Sequence, residues 1–288
     1  MTIDVNELSG PLLDDLCSIV STAAAAILAA RQGSLSARTK ADRSPVTEAD
    51  HASETIILDG LARLLPGIPV VSEEAIGNAP QSKLAGEFIL VDPLDGTREL
   101  IAGRDEFTIN LAVVIGGVPR LGIVAAPAQG LLWRGRVTCG AERLRLPAGA
   151  PAEAARECVS MHARPCPERG LIVFLSRSHL DPATAALVER LPQAHRIGLG
   201  SALKFCRLAE GSGDFYPRLS ATCEWDVAAG HAVLVAAGGL VTDPAGGSLT
   251  YGHIERGFRV PAFLAWGDPR ARAMFGLADA LAALRSQY

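Results

Sequence analysis

The chain has 288 residues, 49% of them hydrophobic and 20% charged, with a net charge of −4. That is globular composition with enough length for one large domain or two fused ones. No basic run occurs and aromatic residues make up only 5%, so a nucleic-acid-binding surface is not indicated, although a local basic pocket for a small phosphorylated molecule is compatible with the charge.

In chain order, residues 11–32 predict an Ala-rich helix. Its core, LCSIVSTAAAAILAA, is too short to span a bilayer, contains Ser and Thr, and lies between Asp15 and Arg31. It reads as a packed helix, with attachment to a membrane surface left open. The loop SLSARTKADRSP leads to TEADHASETIILDGLARLL, a second helix with Ile56, Ile57, Leu61, Leu64 and Leu65 at helical spacing, stopped by Pro66 and Gly67. IPVVS (68–72) and EFILVD (87–92) are strand candidates, and FTINLAVVIGGVPRLGIVAAP suits an antiparallel hairpin with a third strand after it.

The Pro- and Ala-rich stretch LPAGAPAEAARE (146–157) is the best boundary, dividing the chain into 1–152 and 153–288. Beyond it, LIVFLS, RIGL, DFYPR, GGLVTDP and FLAWG alternate with helices near 181–190, 201–210 and 225–237, and a final helix closes the chain. The alternation implies α/β layers. Six cysteines are scattered without a CxxC pair, and MTIDVNELSG lacks a basic n-region. Reduced thiols in a cytoplasmic protein follow.

Acidic residues gather at element boundaries: Asp50 in SPVTEAD, Glu73 and Glu74 in VVSEEA, Asp92 and Asp95 in VDPLDGT, and Asp226 in EWDVAAGHA. Each has a plain structural explanation when taken singly. Asp50 fits the N3 position of a capping box opened by Thr47. The glutamates suit a solvated strand end, the VDPLDGT aspartates a Pro-Gly turn, and Asp226 the first turn of a helix.

Together they suggest more. Mg²⁺ takes carboxylate, carbonyl and water oxygens. Asp92 at the strand end can bridge two ions, the Leu94 carbonyl can face the same place, and Asp95 can hold the second ion. Gly96 and Thr97 then open a helix, TRELIAG, whose free N–H groups can receive a phosphate. Two metals about 3.5–4 Å apart stabilise both the attacking and the leaving oxygen of phosphoryl transfer.

DPLDGT, with SEE upstream and WDVAAGHAV downstream, resembles the lithium-sensitive, magnesium-dependent inositol monophosphatase superfamily over the span from Asp50 to about Arg259. KADRSPVTEAD, VDPLDGTRELI, EFTINLA, SRSH, GSALKFCRLAEG and YPR look like its bacterial CysQ-type 3′(2′),5′-bisphosphate nucleotidase branch. The resemblance implies α+β and α/β halves in a layered αβαβα sandwich, and removal of the 3′-phosphate of adenosine 3′,5′-bisphosphate to give AMP. That substrate is a by-product of sulfate assimilation.

It also implies two Mg²⁺ ions or three. Glu73, Asp92 and the Leu94 carbonyl would hold the first, and Asp92, Asp95 and Asp226 the second. Asp50 and Thr97 would activate the attacking water. Glu73, Asp95, Gly96, Thr97 and Asp226 would surround the scissile phosphate, while His179, Ser201, Lys204 and Arg218 would contact the rest of the nucleotide. The expected partner is this small molecule alone, with no obligate protein partner, in a monomer or homodimer that is cytoplasmic or peripheral on the inner membrane. An inositol monophosphatase or broad sugar phosphatase would share every metal ligand; a non-catalytic nucleotide or metal sensor is the remote alternative. SRSH, Lys204 and YPR favour the nucleotide.

Overall fold

The computed structural model describes residues 8, 10–33, 37–39, 45–76, 84, 86–191 and 193–274. The elements run α1 (Gly10–Gln32), β1 (Ala37–Thr39), β2 (Pro45–Thr47), α2 (Glu48–Leu64), β3 (Val70–Ser72), β4 (Glu87–Asp95), α3 (Thr97–Ile101), β5 (Thr108–Ile115), β6 (Val118–Ala126), β7 (Leu131–Arg136), β8 (Gly140–Arg145) and β9 (Glu157–Met161). They continue as β10 (Ile172–Ser176), α4 (Pro182–Glu189), β11 (His195–Leu199), α5 (Leu203–Ala209), β12 (Phe215–Arg218), β13 (Thr222–Cys223), α6 (Glu224–Ala236), β14 (Leu240–Thr242), β15 (Arg259–Val260), β16 (Phe263–Trp266) and α7 (Ala271–Met274). The expected closing helix is described only through α7; the rest of that expectation lies outside the described residues, as does most of KADRSP.

Two sheets organise these elements. A seven-stranded sheet has the order β3-β4-β5-β6-β7-β8-β9, parallel at β3/β4 and antiparallel elsewhere. A five-stranded sheet has the order β11-β10-β12-β16-β14. Because strand side chains alternate, each sheet presents two faces. Ile89 and Val91 of β4 face α1 and α2, in one apolar cluster with Leu16, Val20, Ile27 and Ile57. Phe88 and Leu90 face the other way, in a cluster with Phe205 of α5, Val233 of α6 and Tyr216, Phe263 and Ala265 of the second sheet. The outer face of the second sheet, with Val173, Phe215, Leu264 and Trp266, is covered by Leu187 and Val188 of α4 and Ala271 of α7. The layers are therefore α, β, α, β, α, the order that the resemblance implies.

Burial on both faces explains why β4 reads as an unbroken apolar run. The Ala-rich helix α1 has the length and composition of a membrane span, yet Leu16, Cys17, Val20, Ala23 and Ile27 are fully buried against protein. The expected boundary at 152/153 falls just before β9, which pairs with β8 in the first sheet, so the change of sheet comes after Met161. The six cysteines are all free thiols.

Helix α6 is held close to the first sheet by small residues. A methyl at Gly122 of β6 would lie 2.2 Å from the Ala229 carbonyl oxygen, and one at Gly135 of β7 would lie 2.6 Å from Val233 Cα. These contacts set where the N-terminus of α6, with Asp226, comes to rest. Backbone cannot yield as a flexible side chain can, so Gly122→Ala should lower stability by at least the roughly 1–3 kcal/mol typical of an overpacked core. Gly10→Ala, where nothing lies within 4 Å of the added methyl, is the control. Thermal unfolding of both variants checks this: a clear fall in Tm is expected only for Gly122→Ala.

Candidate active site

The sheet ends where chemistry begins. Pairing of β4 with β5 is regular to Asp92↔Asn110, shifts register, and resumes at Asp95↔Thr108. The irregularity lets residues 92–95 turn while remaining anchored. Asp92 Oδ1 accepts from Leu94 N at 3.0 Å, and the Pro93 carbonyl accepts from Ser53 Oγ of α2 at 2.7 Å. Gly96 follows at φ 94°, a left-handed conformation suited to glycine, and a methyl there would lie 2.4 Å from Ser201 Oγ.

Three chain segments bring carboxylates to this turn. Glu73 follows β3 and its amide donates to the Val91 carbonyl at 3.2 Å, tying it to β4. Asp226 stands at N3 of α6, accepting from Cys223 N at 3.1 Å and from Thr222 Oγ1. Carboxylate oxygens of Glu73, Asp92 and Asp226 lie within 4.8 Å of one another. Asp95 and the Leu94 residue line the same cavity, whose volume is about 350 Å³.

This crowding perturbs the acids. Burial, reinforced by Glu73, Asp95 and Asp226, pushes the Asp92 carboxyl well above its ordinary range. Burial and repulsion from Asp226 and Glu73 push Asp95 up to about 7, against the attraction of Lys204 and Arg218. A cluster of hard oxygen donors with this much mutual repulsion fits a divalent cation such as Mg²⁺.

Asp50 resolves a choice that the sequence leaves open. Its Oδ2 accepts from Thr47 N at 2.8 Å and Thr47 Oγ1 at 2.7 Å, closing the capping box. Its Oδ1 accepts from Thr97 Oγ1 at 3.1 Å. One carboxylate thus does both jobs, and the cap fixes its orientation toward Thr97.

The facing wall is cationic. Lys204 is buried, donates from Nζ to the Leu199 carbonyl at 3.2 Å and to that of Ser201, and lies 5.1 Å from the Tyr216 ring centroid. Burial pushes its pKa down to about 8, opposed mainly by Asp95. Arg218 Nε is buried without a hydrogen-bond partner, an orphaned donor beside an open cavity. His179 is exposed at the rim, its Nε2 3.5 Å from Arg98 Nη1. Partial desolvation and the nearby Arg218 and Arg98 charges lower its pKa.

Ser201 differs from expectation. It precedes α5 rather than opening it, at φ 49°, and its Oγ lies 2.9 Å from both the Asp95 and the Glu106 carbonyl oxygens. Its hydroxyl therefore sits against the Asp95 and Glu106 carbonyls at the wall of the cavity. Four further residues that the sequence does not single out, Arg98, Glu99, Tyr216 and Arg259, line the cavity. Arg98 and Glu99 directly follow DPLDGT and Tyr216 opens the YPR stretch, so adjacency is a usable signal for these three; nothing local marks Arg259.

A larger cleft of about 760 Å³ shares Arg259 but lies beyond β13 and β15. Two of its carboxylates serve the backbone: Asp181 caps α4, and Asp243 accepts from Gly247 N. It does not contain the Glu73–Asp92–Asp226 cluster.

Comparison with known proteins identifies the family and the fold. Residues 11–273 match the model of the inositol monophosphatase family. The 3′(2′),5′-bisphosphate nucleotidase CysQ of Shigella flexneri is 38% identical over 266 residues, covering 88% of this chain and all of that protein. The CysQ of Escherichia coli strain K12 is 37% identical with the same coverage. Among solved structures, CysQ from Bacteroides thetaiotaomicron is 29% identical and superposes with a TM-score of 0.70, covering 88% of this chain and 95% of that one. The Thermotoga maritima IMPase, 22% identical with a TM-score of 0.72 over 92% and 95% of the two chains, shares the fold.

The repulsion at Asp92 has a measurable consequence. Asp92→Asn keeps the acceptor for Leu94 N and removes a buried negative charge. Without divalent cations the variant should be more stable than the parent, by a margin that widens as pH rises above the ordinary carboxylate range, because the raised pKa of Asp92 makes folding progressively less favourable there. Denaturant unfolding in chelator measures it; equal or lower stability would contradict the cluster's internal strain.

Proposed function

The chain belongs to the inositol monophosphatase family, and from that premise we propose that it is a Mg²⁺-dependent phosphatase that removes the 3′-phosphate of adenosine 3′,5′-bisphosphate, giving AMP and phosphate. The observation that carries this reading is one cavity with two unlike walls: Glu73, Asp92, Asp95 and Asp226 on one side, Lys204 and Arg218 on the other. A substrate with two phosphates suits both walls. The CysQ relatives support the nucleotide, since that is the activity their names carry.

In this reading Glu73, Asp92 and the Leu94 carbonyl would hold one Mg²⁺ and Asp92, Asp95 and Asp226 a second, with a third optional. Such ions would supply charge neutralisation to the phosphoryl group and a lowered pKa to the attacking water. The protein's own groups do the rest. Amides of Gly96 and Thr97 hold the oxygens of the scissile phosphate. The water passes a proton to Thr97 Oγ1, whose own proton moves to Asp50 Oδ1 along the 3.1 Å hydrogen bond. Lys204 and Arg218 hold the second phosphate, and His179 guards the rim. Positioning and charge neutralisation dominate because the reaction is among the slowest in water.

An inositol or sugar phosphatase would use the acidic wall alone. Lys204→Met separates the readings while keeping the buried stem packed. Loss of a charge-assisted contact worth roughly 1.5–3 kcal/mol should raise KM for adenosine 3′,5′-bisphosphate by about 10–100-fold. Hydrolysis of inositol 1-phosphate and p-nitrophenyl phosphate should change far less. Phosphate release with Mg²⁺ on the three substrates is the measurement; a preference for inositol 1-phosphate, or equal losses on all three, would overturn the nucleotide assignment.

A further inference from the structure

Residues 177–179, between β10 and α4, reach across the mouth of the cavity with three consecutive side chains. Arg177 donates from Nε and Nη2 to the two oxygens of Glu106 at 2.9 and 2.7 Å. Ser178 Oγ donates to Glu99 Oε1 at 2.5 Å. His179 Nε2 meets Arg98 Nη1 at 3.5 Å. All three partners lie in the segment between the DPLDGT turn and β5.

Glu106 is the hub of this clasp. Its Oε2 also accepts from Gly200 N at 2.8 Å, and its carbonyl oxygen lies 2.9 Å from Ser201 Oγ. Arg177 Nη2 donates in addition to the Gly198 carbonyl at 2.7 Å. The backbones interlock: a methyl at Gly200 would lie 2.6 Å from the Glu106 carbonyl oxygen, and one at Gly96 would lie 2.4 Å from Ser201 Oγ. Residues 198–201 are thus fixed to residues 95, 96 and 106, and Lys204 follows them by one helical turn.

An ion pair this exposed, with Arg177 at 41% and Glu106 at 23%, contributes little to global stability. Its bidentate geometry contributes distance instead, because two parallel hydrogen bonds fix orientation as well as contact. Neither residue lines the cavity.

We propose that Glu106 and Arg177 form a positioning pair that sets the separation between the scissile-phosphate seat at Asp95–Thr97 and the Lys204 wall, and so selects substrates by the spacing of their two phosphates. The proposal rests on the phosphatase reading given above. A monoester with one phosphate does not use the spacing and should be indifferent to it.

The test compares the parent, Glu106→Gln, Arg177→Met and the double variant on adenosine 3′,5′-bisphosphate and p-nitrophenyl phosphate, with hydrogen exchange of residues 198–204 followed in parallel. Each single variant should raise KM for the bisphosphate about tenfold, with kcat within about threefold, and the double should be no worse than the worse single, as for groups acting as one unit. Both parameters on p-nitrophenyl phosphate should stay within about twofold, and amides of 198–204 should exchange at least about fivefold faster in each variant. Equal losses on both substrates, additive losses in the double, or an unchanged bisphosphate KM would overturn the proposal. If the parent hydrolyses neither ester, the phosphatase reading fails by itself. Exchange at 198–204 then decides the clasp: acceleration keeps it as a spacer for a two-anion ligand, and no acceleration removes it.

Discussion

Like charges held close together are the constraint on which this structure turns. Glu73, Asp92 and Asp226 come from the ends of β3 and β4 and from the first turn of α6, and their oxygens lie within 4.8 Å of one another in a partly buried site. Such an arrangement opposes folding unless a cation offsets it. The chain holds it together by other means. Glu73 is tied to β4 through its amide, Asp92 by its hydrogen bond to Leu94 N, and Asp226 by Thr222 and Cys223. Behind them, α6 is fixed to β6 and β7 at glycines that admit no side chain. The scaffold is rigid where the charges need it to be, a familiar trade of stability for function.

The order of the layers follows from the same need. Strand β3 runs parallel to β4 and stops with Ser72 paired to Val91, so Glu73 falls beside Asp92 while β4 continues to Asp95. Helix α6 lies between the two sheets, so its N-terminus can meet the end of β4 while β12 brings Arg218 to the opposite side. Asp92 and Asp95 come from the first sheet and Arg218 from the second, while Asp226 and Lys204 stand on the helices α6 and α5 packed between them. The contacts of residues 177–179 with Arg98, Glu99 and Glu106 tie the segment after β10 to the segment before β5.

Much of this arrangement is legible in the order of the amino acids. Periodicity places α1, α2 and strands β3 to β7, whereas β1 and β2 fall in or beside the SLSARTKADRSP stretch that reads as a loop; the VDPLDGT stretch points to the acidic wall when it is read together with Glu73 and Asp226. What escapes depends on long-range contacts. Strand β9 is exposed on most of its residues and lacks a core pattern, so only its pairing with β8 identifies its sheet. Ser201 looks like an anion donor because a helix follows it, but its left-handed backbone turns the hydroxyl onto Asp95 and Glu106 carbonyls. Asp50 can be read locally as a cap; that its second oxygen meets Thr97, 47 residues on, is a tertiary fact. Glu106 and Arg177 fall inside the quoted EFTINLA and SRSH stretches, but nothing in the sequence pairs them with each other.

If the acidic wall exists to hold divalent metal, crystals soaked in Mn²⁺, a scattering substitute for Mg²⁺, test it most directly through anomalous difference density. Peaks are expected within about 2.0–2.3 Å of carboxylate oxygens, one shared by Glu73 and Asp92 and one by Asp92, Asp95 and Asp226, both lost or weakened in Asp92→Asn. Density confined to other sites, or a peak at the cluster that survives Asp92→Asn at full strength, would contradict a metal-holding role for these carboxylates.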